Sequence, residues 1–294
     1  MSIYSIKDLE NLSGIKAHTL RIWEQRYNII SPKRTDTNIR YYDDQDLKLV
    51  LNISMLQEHG YKISKIAEMS PESMHRQVLD LSDHGMRHAD QVQAMTVSMI
   101  DLDEDRFEKI LNKCSLQLGF EQTMVQIIFP FLTKIGILWQ TGSINPAHEH
   151  FISHLIRQKV IVATDGQVTS YEPTTKKYML FLPDGELHEL SLLFANYLLR
   201  ARKQRVVYLG QSLPFQDVES VYQVHQPQYL FTVITSIPGP DDVQAYINRL
   251  SSTFSKSTIL ISGYQAVSQD IYAPDNIVIV RKIQDLIDFA EDNA

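Results

Sequence analysis

The sequence predicts a multidomain chain in three parts. A winged helix-turn-helix comes first, a four-helix bundle second, and last an α/β domain built on a doubly wound, parallel, five-stranded sheet. Three observations carry that prediction. Near the N-terminus two short helical segments flank a glycine turn and run into a basic, turn-rich stretch. In the middle, four segments place apolar residues at three- and four-residue steps. In the last third, five short apolar runs alternate with helical segments.

The first part is expected over residues 1–72. Ser5 suits the N-cap of a helix that puts Ile6, Leu9 and Leu12 on one face. Gly14 breaks that helix because it accepts positive φ. A second helix, "AHTLRIWEQRY", turns Leu20 and Trp23 inward and leaves Arg21 and Arg26 outward. Residues 32–38 read as a loop or tight hairpin, and a third helix starts at Asp43 or Asp44 and closes at Gly60. Between Lys16 and Tyr41, six cations (Lys16, Arg21, Arg26, Lys33, Arg34, Arg40) face two acids, Glu24 and Asp36, in a chain of net charge -7. A local basic patch on an acidic body suits one polyanion-binding face rather than a nucleic-acid coat. A short helix fits the major groove while a wing's cations reach nearby phosphates. The plainer reading of the same pattern is a small helical domain with a solvated basic face.

Residues 4–47, from "YSIKDLENLSGIKAHTLRIWEQRY" through "SPKR" to "RYYDDQDL", resemble the N-terminal domain of MerR-type transcription regulators. The resemblance covers about a quarter of the chain. It implies a double-stranded promoter DNA partner, with Thr19, Arg21, Arg26 and Tyr27 at the recognition helix. Lys33, Arg34, Asn38, Arg40 and Tyr41 would then belong to the wing, and Trp23 to the core.

The second part is expected over residues 73–168. "MRHADQVQAMTVSMI", "DEDRFEKILNKCSLQLG", "EQTMVQIIFPFLTKIGILWQ" and "PAHEHFISHLIRQKVIVATD" are its four helices, joined by short connections. Pro130 should kink the third or bend it around something. MerR-type dimers usually join through a long coiled-coil helix, but Pro71 and Gly85 interrupt any heptad after Met69. Homo-oligomerisation, as a dimer or tetramer, is therefore expected from the bundle or the C-terminal domain. The single cysteine, Cys114, excludes an internal disulfide framework and reads as a buried structural thiol. No apolar run reaches membrane-spanning length and no signal-peptide pattern opens the chain, so a cytoplasmic protein without membrane contact is expected.

The third part is expected over residues 176–294. "KYMLFL", "RVVYLG", "YLFTVIT", "TILISG" and "NIVIVR" are its strands, with helices such as "HELSLLFANYLLRARK" between them. That rhythm gives a Rossmann-like, flavodoxin-like sheet, whose ligands bind beyond the carboxyl ends of the strands. His188 follows the first strand and so stands at that rim. Taken alone, it is an exposed residue or a helix cap. Glu186, two places earlier, could fix its tautomer and raise its basicity if the other ring nitrogen held a metal. Neither a nucleophile–base–acid set nor a G-x-G-x-x-G fingerprint surrounds it, so an enzyme is not expected.

"ELHELS" is similar to the E/D-x-H-x-x-G motif of cobalamin-binding domains, whose histidine lies beneath cobalt. "WQTGSINPAHEH" resembles the W-x9-E-H signature in the helical cap of cobalamin-dependent regulators of the CarH/LitR kind. That resemblance spans nearly the whole chain. It implies adenosylcobalamin between cap and sheet, with His188 as the lower cobalt ligand beside Glu186. Trp139, Glu149 and His150 would lie at the upper face, and Ser191, Thr235, Ser262 and Gly263 along the nucleotide tail. It also implies a photoreceptor repressor that holds its operator as a dark tetramer and releases DNA when light breaks the assembly. The chain departs from the family pattern at three positions. Gln140 stands where light-responsive relatives have a histidine, and Ser191 and Ser262 replace glycines along the tail. Three other readings remain open. The first is a regulator of this architecture that answers to another ligand or to a protein partner such as an antirepressor. A corrinoid methyl carrier is the second, and zinc held by His150 and His154, one helical turn apart, is the third.

Overall fold

The computed structural model describes residues 3–35, 37–83, 88–140, 144–167 and 175–292. The chain divides into two compact units, Met1–Leu155 and Ile156–Ala294. No described helix is long and apolar enough to cross a membrane.

The first unit opens with α1 (Ile6–Ser13) and α2 (Ala17–Tyr27). A two-stranded hairpin of β1 (Lys33–Arg34) and β2 (Arg40–Tyr41) follows, then α3 (Asp44–Glu58) and the short α4 (Ile63–Ile66). The expected signals set these boundaries. Ser5 and Asp8 form a reciprocal capping box at α1, and Asp43 and Asp46 form another at α3. Gly14 ends α1 at a φ of 75°. Tyr4, Leu9, Leu20, Trp23, Tyr42, Leu47 and Leu51 are buried as the core of this part.

The helical region comprises α5 (Pro71–Asp83), α6 (His88–Asp101), α7 (Glu104–Leu118), α8 (Phe120–Thr123), α9 (Phe129–Gln140) and α10 (Pro146–Asp165). Pro71 begins α5, since the first helical position needs no N–H donor, and no helix runs through it from α4. A π-helical turn, Met124–Ile128, joins α8 to α9, and the Phe129 N–H bonds the Met124 carbonyl five residues back. Pro130 follows this turn and supplies no N–H, so the regular ladder is interrupted where the helix widens. Every residue of α6 from Asp90 to Ile100 is buried. Four of its polar members are bonded, Thr96 to the Val92 carbonyl, Ser98 to the Met95 carbonyl, Gln93 to Ser54, and Asp90 to His59 at 3.1 Å, while the buried Gln91 Oε1 accepts no hydrogen bond among the described residues. Cys114 is buried, as expected, and burial pushes its thiol up to about 11.

The second unit contains β3 (Lys177–Pro183), α11 (Leu190–Ala201), β4 (Arg205–Leu213), α12 (Phe215–His225) and β5 (Tyr229–Val233). It continues with α13 (Val243–Thr253), β6 (Thr258–Ser262), α14 (Tyr264–Ser268), β7 (Ile277–Ile279) and α15 (Ile283–Asp292). All five predicted strands are present and parallel, in the order β4-β3-β5-β6-β7. Met179 and Phe181 of β3 pack with Leu230, Ile259, Ile261 and residues of α12, α13 and α14 on one face. Strand alternation turns Tyr178 and Leu180 to the other, where α11 and α15 lie together. Burial on both faces explains why β3 reads as one continuous apolar run. The strand order reverses between β3 and β5, and the crevice outside their carboxyl ends is where such folds take ligands.

Candidate functional site

Two surfaces concern function, one in each unit. In the first, α2 presents Arg21 and Arg26 to solvent, while Thr19 and Tyr27 are half-buried. The Arg26 guanidinium lies 5.5 Å from the centre of the Tyr27 ring. Arg34 reaches across the hairpin, its Nη1 donating to Asn38 Oδ1 at 2.7 Å, and Asn38 takes a φ of 64° to close the turn. Lys33 is bonded to Asp43 and lies 3.4 Å from Asp46. Arg40 lies 3.7 Å from Glu24 of α2, and Tyr41 is half-buried beside it in sequence. The wing is thus tied to α2 and α3 by two of the cations expected at DNA, whereas Arg21 has no ion-pair partner among the described residues.

In the second unit, the loop between β3 and α11 turns at Gly185, where φ is 80°, and the Glu186 N–H closes back on the Pro183 carbonyl. This directs the Glu186 carboxylate inward, 1% exposed, and leaves the His188 side chain 62% exposed at the rim. One carboxylate then gathers five donors. Glu186 Oε2 accepts the consecutive N–H groups of Thr235, Ser236 and Ile237 at 3.0, 2.6 and 3.1 Å. Oε1 accepts the His188 N–H at 3.0 Å and faces His188 Nδ1 at 2.6 Å. Burial alone would raise the Glu186 pKa, but bonds from the Ser236 and His188 backbones, the His188 ring and the Ile237 backbone outweigh it and bring it down to about 2. The carboxylate is therefore ionised at neutral pH and can only accept. In the neutral ring this puts the proton on Nδ1 and leaves the Nε2 lone pair at the rim, the arrangement a metal-ligating histidine needs.

The other predicted rim residues are distributed around this centre. Thr235 joins it through its backbone. Ser191 sits half-buried in the first turn of α11. Ser262 Oγ donates to the Val280 carbonyl at 2.9 Å, so its hydroxyl is engaged at the end of β7. Gly263 has a φ of 103°, and a Cβ there would lie 2.4 Å from the Ile234 carbonyl oxygen. Only glycine allows that approach of the two strand ends.

In the first unit, Glu149 Oε1 accepts from Ser153 Oγ at 2.5 Å and its Oε2 lies 3.9 Å from His150 Nδ1. The rings of His150 and His154 stack with centres 6.4 Å apart, and no group of three metal-ligating side chains occurs among the described residues. The side chains of Trp139 and Gln140 lie outside the described residues.

Sequence reasoning missed one cluster altogether. Glu189 accepts from Tyr208 Oη at 3.2 Å and is bonded to Arg157, joining α10, the start of α11 and β4. No local pattern marks three residues so far apart in the chain.

Two family matches are found for this chain, both N-terminal to the sheet. Residues 4–73 match the family described as MerR HTH family regulatory protein, and residues 91–163 match the family described as B12 binding domain. The HTH-type transcriptional repressor CarH of Myxococcus xanthus is 24% identical over 253 residues, 84% of each chain. CarA of the same organism is 23% identical over 265 residues, 89% of this chain and 86% of that one. Among solved structures, a monomethylamine corrinoid protein of Methanosarcina barkeri is similar in fold, with a TM-score of 0.50 at 10% identity, over 74% of this chain and 99% of that one.

Proposed function

We propose, on the premise that this chain is a DNA-binding transcription regulator with a MerR-type domain and a B12 binding domain, homologous to the CarH and CarA repressors, that its C-terminal half is a cobalamin sensor centred on His188. One observation carries the reading. Glu186 holds Nδ1 of an exposed imidazole at 2.6 Å, leaving Nε2 as a free base at the carboxyl rim of a parallel sheet. That donor fits the lower axial position of a corrin cobalt. Bound adenosylcobalamin would supply a cobalt–carbon bond that light can break.

The chain's own residues supply the rest. Glu186 fixes the tautomer of His188 and pins the 235–237 backbone to the same carboxylate, so a pull on the ring is felt at the loop after β5. Gly263 keeps the ends of β5 and β6 close where Ser262, Thr235 and Ser191 would border the nucleotide tail. Trp139, Glu149 and His150 form the upper wall in this proposal, within a helical cap over residues 73–168. The DNA-binding part covers residues 1–72 and the cobalamin part 176–294. At the operator, Thr19, Arg21, Arg26 and Tyr27 enter the major groove, and Lys33, Arg34, Asn38, Arg40 and Tyr41 follow the backbone. Repression by a cytoplasmic homo-oligomer gains affinity because joined DNA-binding domains raise one another's effective concentration. Light would act by changing that assembly. Gln140 favours a second reading, in which cobalamin is held but light is not the input and a protein partner is.

The test is incubation with adenosylcobalamin in darkness, then desalting, absorbance and sizing before and after green light. Retained cofactor with a change in oligomer size supports the whole proposal. Loss of cofactor on desalting removes the sensor, and retention without a size change removes only the light response.

A further inference from the structure

A cavity of about 490 Å³ opens among the C-terminal half of α10, one face of α11 and Tyr208 of β4, all within the second unit. That volume lies in the range of small-molecule sites, roughly 300–1,000 Å³. It is lined mainly by polar groups, and their charges are unequally matched. Glu189 is answered twice, by Arg157 and by the Tyr208 hydroxyl. Burial, and then the charge of Glu189, push the Tyr208 pKa upward, so this phenol stays a donor. Asp165 lies at the exposed margin, where solvent screens it.

Arg200 differs from all of these. Its Nε donates to Asn196 Oδ1 at 2.9 Å and its Nη2 reaches the Val206 carbonyl at 3.4 Å, both neutral acceptors. Among the described residues it has no carboxylate partner, and Nη1 makes no hydrogen bond. A half-buried guanidinium with donors to spare pairs best with an anionic oxygen, whose charge opposes its own and which can accept two of its N–H groups side by side when it is part of a carboxylate or phosphate. Asn196 is 7% exposed on a helix whose neighbouring positions are leucine, alanine and tyrosine. A buried amide costs stability unless it is bonded, and this one is used to aim the guanidinium.

We propose that this cavity is a second ligand site, taking a small molecule through a carboxylate or phosphate head that pairs with Arg200, separately from any group held by His188.

The full chain, without cofactor, would be titrated calorimetrically with inorganic phosphate and with succinate at constant ionic strength. Saturable binding by phosphate alone identifies a phosphate head, by succinate alone a carboxylate head, and by both a site that reads only the anion. Arg200→Gln should weaken binding at least tenfold. Asn196→Asp should do the same by placing a carboxylate against the guanidinium in advance, and it keeps the test valid should the first variant fail to fold. Arg202→Gln, whose parent side chain pairs with Glu291, should bind like the unaltered chain. No saturable binding of either probe, or equal binding by the unaltered chain and by folded Arg200→Gln or Asn196→Asp, would overturn the proposal.

Discussion

Replacing Glu186 with glutamine should destabilise the sheet domain by about 3 kcal/mol at pH 7, and the loss should shrink in acid. The carboxylate accepts five hydrogen bonds, three on one oxygen and two on the other. Glutamine offers one oxygen and one NH2 group, so whichever way it turns, an NH2 meets either the 235–237 backbone or the His188 ring. A drop in pKa from the ordinary 4.5 to about 2 is worth about 3.4 kcal/mol of preference for the ionised form in the folded state. Its direction fixes the pH window. A depressed carboxylate contributes fully above the unfolded value near 4.5, and the contribution is lost as pH falls through the folded value near 2. At pH 3 about 1.4 kcal/mol of it remains. The assay is hydrogen exchange of the Thr235, Ser236 and Ile237 amides in both proteins at the two pH values, with urea unfolding of the sheet domain alongside. A stability gap that stays constant between pH 7 and pH 3 would refute the assignment of these bonds to an ionised carboxylate.

His188→Ala should retain the fold and lose cobalamin on desalting; an unchanged bound spectrum would show that another group lies beneath the metal. Gly263→Ala should cost at least about 2 kcal/mol, from its positive φ and from a Cβ pressed to 2.4 Å of the Ile234 carbonyl, measured as a lower urea midpoint. Arg21→Ala should weaken operator binding in a gel-shift titration, because that side chain is exposed on α2 with no ion-pair partner among the described residues to retain it. Arg40→Ala should reduce the salt slope of binding by about 1 if Arg40 leaves Glu24 for a phosphate, and an unchanged slope would leave it as a strut of the wing.

The sequence made local features readable and left long-range ones hidden. Ser5 and Asp43 capped the helices they were expected to cap because a cap is decided within four residues. The five strands could be found because an apolar run buried on both faces is continuous, and His188 could be placed because a rim position follows from the end of a strand. Pro71 marks the break it was expected to mark, since α4 stops at Ile66 and a new helix, α5, begins at Pro71 itself. Pro130 lies where its helix is irregular, just after a π turn in which the Phe129 N–H reaches the Met124 carbonyl five residues back. Three of the five donors to Glu186 lie about fifty residues away, and the partners of Lys33 and Arg40 depend on how the wing folds back onto α2 and α3. Ser262 shows the same limit. Its hydroxyl donates a hydrogen bond to the Val280 carbonyl, a partner no local pattern points to. Periodicity reports which face is buried; it carries no information on which polar groups meet across it.

The most direct test of the account is electron paramagnetic resonance of cobalt(II) cobalamin bound to protein grown with 15N-histidine. If the His188 Nε2 atom lies on cobalt, the three-line nitrogen splitting of each cobalt feature becomes a two-line splitting on labelling, and His188→Ala abolishes it. Three lines that persist in the labelled protein would place the cofactor's own base on the metal and contradict the account.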